Sequence, residues 1–183
     1  MKINKITQAF AAILVGACSP DQGCSSWEDN SVVYVLVDDP EKNFSPEELI
    51  IIDEALIEWS EAVNNHVTFV YVFSKETKSL IIIRPDSLQN INDERDLSAV
   101  TDWVTWERGG AVTVPYDIDE RNFKALLLHE VGHALGLAHD DSDTIMYKEK
   151  YRTVFNVTCK DVEQFCEVNS CEAEEMEICI NEQ

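Results

Sequence analysis

Apolar and polar positions along the chain form a pattern of short strands and amphipathic helices. Three apolar runs rich in β-branched residues predict buried strands, at residues 31–37, 67–73 and 80–83. The third run is followed by Arg84-Pro85, which predicts its end. Between the first two runs, apolar residues recur at helical spacing over residues 46–64, directly after the capping-box sequence Ser45-Pro46-Glu47-Glu48. A strand, a helix and a strand in this order predict a parallel pair with a right-handed crossover.

The second half of the chain continues with shorter elements. Residues 100–106 and 111–114 predict two further strands, with a turn-like segment at residues 107–110 between them. Asp119 is placed to cap a helix that runs from about residue 120 to residue 135. Thr158-Cys159-Lys160-Asp161 repeats the capping-box pattern and predicts the start of a final helix. We therefore predict an α+β fold, with one mixed sheet and several helices.

Length and composition favour one folded domain in an exported protein. The 183 residues are 45% hydrophobic, which is enough for a single core. Residues 1–17 resemble an export signal, because two lysines precede a short apolar run that ends in small residues. Residues 18–30 are then a linker, residues 31–168 the main domain, and residues 169–183 an acidic tail that contains cysteines.

The end of the signal leaves two destinations open. The segment Leu14-Val15-Gly16-Ala17-Cys18 resembles a bacterial lipoprotein box, in which cleavage leaves Cys18 as a lipid-carrying N-terminus. An ordinary secretory signal cut nearby is the alternative. We therefore expect a lipid-anchored protein of the bacterial cell envelope or a secreted protein. In either case we expect a monomer, with lipid at Cys18 as its only link to a membrane.

Charge and cysteine content restrict the partners and the covalent structure. With 35 acidic and 14 basic residues, the net charge of −21 argues against a nucleic-acid partner. Six cysteines in an exported chain predict disulfides. Two bridges are possible if Cys18 carries lipid, and three if it does not. Cys159 and Cys166 are not expected to pair, because two turns of one helix hold them about 10 Å apart.

The sequence His-Glu-Val-Gly-His-Ala-Leu-Gly-Leu-Ala-His-Asp at residues 129–140 carries the candidate chemistry. His129 and His133 are four residues apart, so a helix places both imidazoles on one face, where they can chelate one zinc ion. His139 can join them only if the helix ends. Gly136 can adopt the left-handed conformation that such an end requires. Three imidazoles leave a fourth coordination position open, as in catalytic zinc sites.

Glu130 directly follows the first histidine and is the candidate general base. Its carboxylate would lie beside the metal without binding it, within reach of a water molecule in the open position. It could take a proton from that water and pass it to the leaving amine during peptide hydrolysis. The chain has no recognisable serine or cysteine nucleophile motif, and this mechanism needs none. The pattern predicts a zinc-dependent endopeptidase.

The extended motif and a downstream methionine resemble the metzincin superfamily, whose signature is His-Glu-x-x-His-x-x-Gly-x-x-His followed by a methionine turn. The turn reads Asp143-Thr144-Ile145-Met146-Tyr147, and methionine followed by tyrosine is most similar to the matrixins. The resemblance implies a zincin-like catalytic domain at residues 31–168, with a twisted five-stranded mixed sheet, an active-site helix and a C-terminal helix. It places Met146 under the metal and makes residues 100–106 the edge strand that pairs with a protein or peptide substrate. The Asp143 carboxylate is expected to tie the turn together, and Tyr147 to be structural.

Several features depart from the matrixin pattern or leave alternatives open. His66 is the only histidine outside the motif, so one catalytic zinc and no second zinc site is expected. Lys148 replaces the usual proline after the methionine-tyrosine pair, and this leaves the wall of the substrate pocket undefined. Acidic residues at 86–97 make Ca²⁺ binding conceivable, but no ligand spacing supports it. Cys24 is expected in a disulfide, with an inhibitory metal-binding thiol as the alternative.

Two other classes of function compete with the enzyme. A binding module could keep the fold and the metal and grasp peptides with its edge strand, but the glutamate at position 130 argues against it. A structural protein of the envelope would not need three histidines around an open position. Trp103 and Trp106 are placed either to line a substrate cleft or to pack in the core or at the sheet edge.

Overall fold

The computed structural model describes one sheet with helices packed against it. It covers residues 27–74, 80–86, 100–103, 109–116, 118–140, 143–148 and 153–181. The strands are β1 Ser31–Val37, β2 Val67–Tyr71, β3 Leu80–Asp86, β4 Val100–Trp103 and β5 Gly109–Pro115. The helices are α1 Pro46–Ala62, α2 Glu120–Ala134, α3 Cys159–Asn169 and α4 Glu177–Ile180, and a 3-10 turn, Ala173–Glu175, precedes α4.

The sheet has the strand order β2-β1-β3-β5-β4. The first four strands in this order are parallel, and β4 runs antiparallel to β5 at one edge. The predicted parallel pair of β1 and β2 is therefore confirmed, as is the mixed α/β class. Residues 104–108, which include part of the predicted edge strand and of the predicted turn, lie outside the described residues.

Two strand boundaries differ from the prediction. β3 continues through Arg84-Pro85 to Asp86, so the prediction that this dipeptide ends the strand is wrong. β1 pairs with β3 only as far as Val37↔Ile83, so the missing N–H of Pro85 removes no hydrogen bond to β1. β5 begins at Gly109, so the two glycines of the predicted turn belong to the strand.

The predicted helix starts are confirmed by their caps. Ser45 and Glu48 form a reciprocal capping box at α1, with the Ser45 amide donating to Glu48 Oε2 at 2.7 Å. Asp119 caps α2 through the Asn122 amide. α1 ends at Ala62, shortly before Asn64 and Asn65, which have positive φ angles.

The sheet and α1 together support α2. The inward-facing residues of the central strands, such as Val33, Val35 and Ile81, are fully buried. Trp59 on α1 is also fully buried, and its indole N–H donates to the Leu128 carbonyl at 2.9 Å. An ion pair between Lys124 and Glu58, at 2.8 Å, joins the same two helices. α2 therefore has a fixed position, which matters because it carries the histidine motif.

Two disulfides close the C-terminal region. Cys159 pairs with Cys179, and Cys166 pairs with Cys171, so the expectation that Cys159 and Cys166 do not pair is confirmed. Met176 and Cys179 are buried in the core, so this part of the acidic tail packs on the domain. Of the helices in the described residues, none has both the length and the apolar character needed to span a bilayer.

Candidate metal centre

α2 carries two of the motif histidines and ends where the third requires the chain to turn. The helix ends at Ala134, and Gly136 has a φ of 104°. The amides of Gly136 and Leu137 donate to the carbonyls of His133 at 2.9 Å and Gly132 at 3.0 Å, which is the Schellman pattern of helix C-termini. A β-carbon is strained at such a φ, so glycine is favoured here. The predicted turn at this position is confirmed.

The turn brings the three histidines of the motif together. One ligand nitrogen from each of His129, His133 and His139 lies within 4.8 Å of the others, and the Nε2 atoms of His133 and His139 are 3.1 Å apart. The first two histidines are buried, and the third is partly exposed. Within the described residues, this is the one group of three side chains that could hold a metal ion.

Backbone carbonyls orient the two imidazoles on the helix. His129 Nδ1 lies 2.8 Å from the Ile145 carbonyl, and His133 Nδ1 lies 2.8 Å from the Leu137 carbonyl. A carbonyl oxygen only accepts, so each Nδ1 carries the hydrogen and donates it. A neutral imidazole then has its lone pair on Nε2. Hydrogen bonds of this kind fix the tautomer and the ring orientation that a metal ligand requires.

This set of donors fits a zinc ion. Two nitrogens bound to a tetrahedral zinc at about 2.0–2.1 Å lie about 3.3 Å apart, close to the 3.1 Å between the Nε2 atoms of His133 and His139. His133 also lies in the last turn of α2, where the helix dipole favours positive charge. Three neutral imidazoles leave a fourth coordination position for water or substrate.

The methionine turn packs directly against α2. Met146 is fully buried, and its carbonyl accepts from the Asp140 amide at 3.0 Å. A β-carbon at Gly132 would lie 2.4 Å from Met146 Sδ and 3.1 Å from Trp59 Cζ2, so any larger residue here would force the Met146 side chain to move. Gly132 occupies a variable position of the histidine motif, so the motif itself does not mark it. A glycine inside a helix costs about 1 kcal/mol relative to alanine, and that unfavourable choice was the available signal.

Asp161 on α3 holds the methionine turn in place. Its carboxylate accepts from the Ile145 amide at 3.1 Å and from the Met146 amide at 3.2 Å. It also accepts from the amide and hydroxyl of Thr158, so one side chain serves both as the capping-box residue and as the anchor of the turn. Burial raises the pKa of Asp161, and the hydrogen bonds it accepts oppose that rise. The Asp143 carboxylate, expected to tie the turn together, is exposed instead, so that prediction is wrong.

Hydrogen bonds connect α3 to His129 through the methionine turn. The Asp161 carboxylate accepts from the Ile145 amide, and the Ile145 carbonyl accepts from His129 Nδ1. The position of α3 therefore influences the orientation of a candidate metal ligand. The capping box is visible in the sequence but this link is not, because Asp161 lies 15 residues after Met146 and only the fold brings them together.

The structure places the remaining candidates as follows. Glu130 is buried in α2, next to His129. His66 is buried just before β2, with Nε2 3.0 Å from the Trp27 carbonyl, so it lies in a polar contact away from the histidine cluster. Tyr147 is partly buried and forms a bridge with Asp140. Several other candidates lie outside the described part of the chain, namely the Trp103 side chain, Trp106, the cysteines at positions 18 and 24, and residues 87–97 of the acidic loop.

Fold and site together define the class of protein. The described residues contain the parts of a zincin-like metzincin domain. These parts are a mixed sheet, a helix bearing two histidines, a glycine turn, a third histidine and a methionine turn. The family model described as Matrixin matches residues 86–168, just under half of the chain, and the resemblance to matrixins is confirmed. The matched segment contains β5, α2, the methionine turn and most of α3. No curated protein matches the chain. The Matrixin match indicates a zinc metallopeptidase, which would act on peptide substrates.

Proposed function

We propose that the protein is a zinc-dependent endopeptidase in which His129, His133 and His139 hold one zinc ion. The observation that carries this proposal is the convergence of three imidazoles, two of them fixed as Nδ1–H tautomers by backbone carbonyls. A structural site would close the fourth position with another protein ligand. The described residues around the cluster supply three candidate ligands and no fourth, which favours catalysis.

Glu130 is the proposed general base. It follows His129 on α2 and is buried, so its carboxylate lies in the low-dielectric surroundings of the cluster. Zinc in this donor set supplies Lewis acidity, which polarises a peptide carbonyl and makes water easier to deprotonate. Glu130 takes a proton from the attacking water and delivers it to the leaving nitrogen. His129 and His133 keep their Nδ1 protons throughout, and all three imidazoles serve only as ligands.

The substrate is proposed to bind as an extended strand along β4. This strand forms one edge of the sheet and, among the described residues, pairs with β5 on one side. Edge strands bind extended peptides through backbone hydrogen bonds. α2 packs close to β4 and β5, so a peptide in this position would pass near the histidine cluster.

The proposed setting is outside the cytoplasm. The lysines and the short apolar run within residues 1–17 support an export signal, and the segment ending at Cys18 supports a lipid anchor. The disulfides Cys159–Cys179 and Cys166–Cys171 fit an oxidising compartment. Mass spectrometry of the mature N-terminus tests this part. A lipid-modified Cys18 is expected, and an unmodified N-terminus at another residue would contradict the anchor.

Two substitutions test the proposed roles. Glu130→Gln keeps the size of the side chain but cannot accept the proton, so zinc should be retained while peptide cleavage falls by a factor of about 100 or more. His139→Ala should lower zinc affinity itself, because one of three ligands is lost. His66→Ala is the matched control, since it removes a buried histidine outside the cluster, and it should retain zinc. Unchanged cleavage by the Glu130→Gln protein would contradict the mechanism.

A further inference from the structure

The Cys159–Cys179 disulfide lies next to the hydrogen bonds that hold the metal centre. Cys159 is the first residue of α3, between Thr158 and Asp161 of the capping box. Asp161, two residues further on, accepts from the amides of Ile145 and Met146. The disulfide is thus about 3 Å along the helix axis from the carboxylate-bearing residue that anchors the methionine turn.

The disulfide joins two short helices of the C-terminal region. α4 has four residues, too few for a helix that is stable by itself. α3 has 11 residues, which is also below the length at which isolated helices persist. α3 packs on the core through Val162 and Phe165, which are fully buried, and the cross-link to buried Cys179 adds a covalent tie at its first turn. Without the cross-link, non-covalent contacts alone would hold that turn, which carries Asp161, and it would fray more readily.

We propose that this disulfide is a redox switch for the metal centre. When the Cys159–Cys179 bond is formed, the histidines are held in the arrangement that binds metal tightly, and when the bond is reduced, that arrangement is lost. The proposal rests on the proposed function of the histidine cluster. Fraying of α3 would remove the acceptor of the Ile145 and Met146 amides. The Ile145 carbonyl would then lose its fixed position against His129 Nδ1, and the imidazole its orientation.

The chemistry of the switch is thiol–disulfide exchange. A dithiol reductant supplies two electrons and two protons, is itself oxidised to a disulfide, and leaves two thiols on the protein. Cys159 is only partly buried, whereas Cys179 is buried, so the Cys159 sulfur is the accessible point of attack. The reverse exchange with a disulfide oxidant restores the bond. A chain made in a reducing compartment would therefore have a weak metal centre until an oxidising compartment completes it.

The second disulfide provides a matched control. Cys166–Cys171 lies at the other end of the same helix, with a sequence separation of 5 against 20 for Cys159–Cys179. The two bridges thus share α3, but only one is close to Asp161. We compare the full chain with Cys159→Ser/Cys179→Ser and Cys166→Ser/Cys171→Ser variants, and measure zinc affinity by competition with a chromogenic chelator. Loss of Cys159–Cys179 should weaken zinc binding about 10–100-fold, as for other losses of groups that orient metal ligands. The control should stay within about threefold of wild type.

A second measurement needs neither zinc nor activity. Amide hydrogen exchange in the zinc-free variants should be faster at Ile145 and Met146 when Cys159–Cys179 is absent, while the amides of β1 stay protected. If the Cys159→Ser/Cys179→Ser protein does not fold, dithiothreitol is added to the zinc-free Cys166→Ser/Cys171→Ser protein. Exchange at Ile145 and Met146 should then rise before exchange in β1 does.

Either of the following two results overturns the proposal. Equal zinc affinities in both variants and wild type would show that the bridge does not affect the centre. Equal losses in both variants, or β1 exchange that rises together with Ile145, would show that the bridges stabilise the whole fold without selectivity. Peptide cleavage is measured in the same samples. If the oxidised wild type binds zinc but cleaves nothing, the proposed function fails while the affinity comparison still tests the switch.

Discussion

Replacing Gly132 by alanine sets two effects of known size against each other. An alanine inside a helix is favoured over glycine by about 1 kcal/mol. The added β-carbon, however, would lie 2.4 Å from Met146 Sδ and 3.1 Å from Trp59 Cζ2. Both neighbours are fully buried, and the indole of Trp59 is held by its hydrogen bond to the Leu128 carbonyl. The methionine must therefore move, at the cost of about 1–3 kcal/mol typical of overpacking.

A contact this short belongs at the upper end of that range, so Gly132→Ala should lower the free energy of unfolding by about 1–2 kcal/mol in total. Urea unfolding of the zinc-free protein measures it. The matched background is Met146→Ala, in which the clashing sulfur is absent while the 3.1 Å contact with Trp59 Cζ2 remains. There, Gly132→Ala should be less destabilising than in wild type by about 1–3 kcal/mol. Equal destabilisation in both backgrounds would refute the reasoning, because the penalty would then not come from the methionine.

Three further outcomes follow from the same contacts. Asp161→Asn should lower the free energy of unfolding by about 1–3 kcal/mol, because an amide NH₂ facing the Ile145 or Met146 N–H leaves a buried donor unsatisfied. Burial raises the pKa of Asp161, so the folded protein keeps the carboxyl proton to higher pH than the unfolded chain does. This difference in proton binding stabilises the folded state fully below the ordinary carboxyl pKa. The stabilisation is lost as the pH rises through the pKa of Asp161 in the folded protein. Urea unfolding from acidic to neutral pH should therefore show the stability advantage of wild type over Asp161→Asn shrinking as the pH rises; a constant difference would contradict the shift. Trp59→Phe removes the donor to the Leu128 carbonyl and leaves part of a fully buried volume empty, so it should cost about 2–4 kcal/mol in the same assay, with no change in zinc content.

Local signals in the sequence were sufficient for the elements that depend on local interactions. The capping boxes at Ser45 and Thr158 and the cap at Asp119 were predicted, because each uses a side chain within three residues of the amides it satisfies. The turn at Gly136 was predicted for a similar reason, since a third histidine six residues after His133 requires the helix to end. The convergence of the three imidazoles follows from these local rules.

The parts that were missed depend on contacts between distant segments. Asp143, within the turn sequence, is the expected anchor of the methionine turn, but Asp161 on α3 is the residue whose carboxylate accepts from the turn amides. The requirement for glycine at position 132 depends on Met146 and Trp59, which come from other elements. Pro85 is expected to end β3, but β1 ends at Val37, opposite Ile83, so β1 requires no hydrogen bond from the position of Pro85. None of these long-range relations is indicated by the residues that neighbour it in the sequence.

The central claim is that the histidine cluster is a catalytic zinc centre. The most direct test is to determine the zinc content of the purified chain and to measure its cleavage of unfolded casein with and without a zinc chelator. The account predicts one zinc ion per chain, cleavage that the chelator abolishes, and recovery when zinc is returned. Cleavage that continues after the zinc has been removed, or a chain that binds no zinc at the cluster, would contradict it.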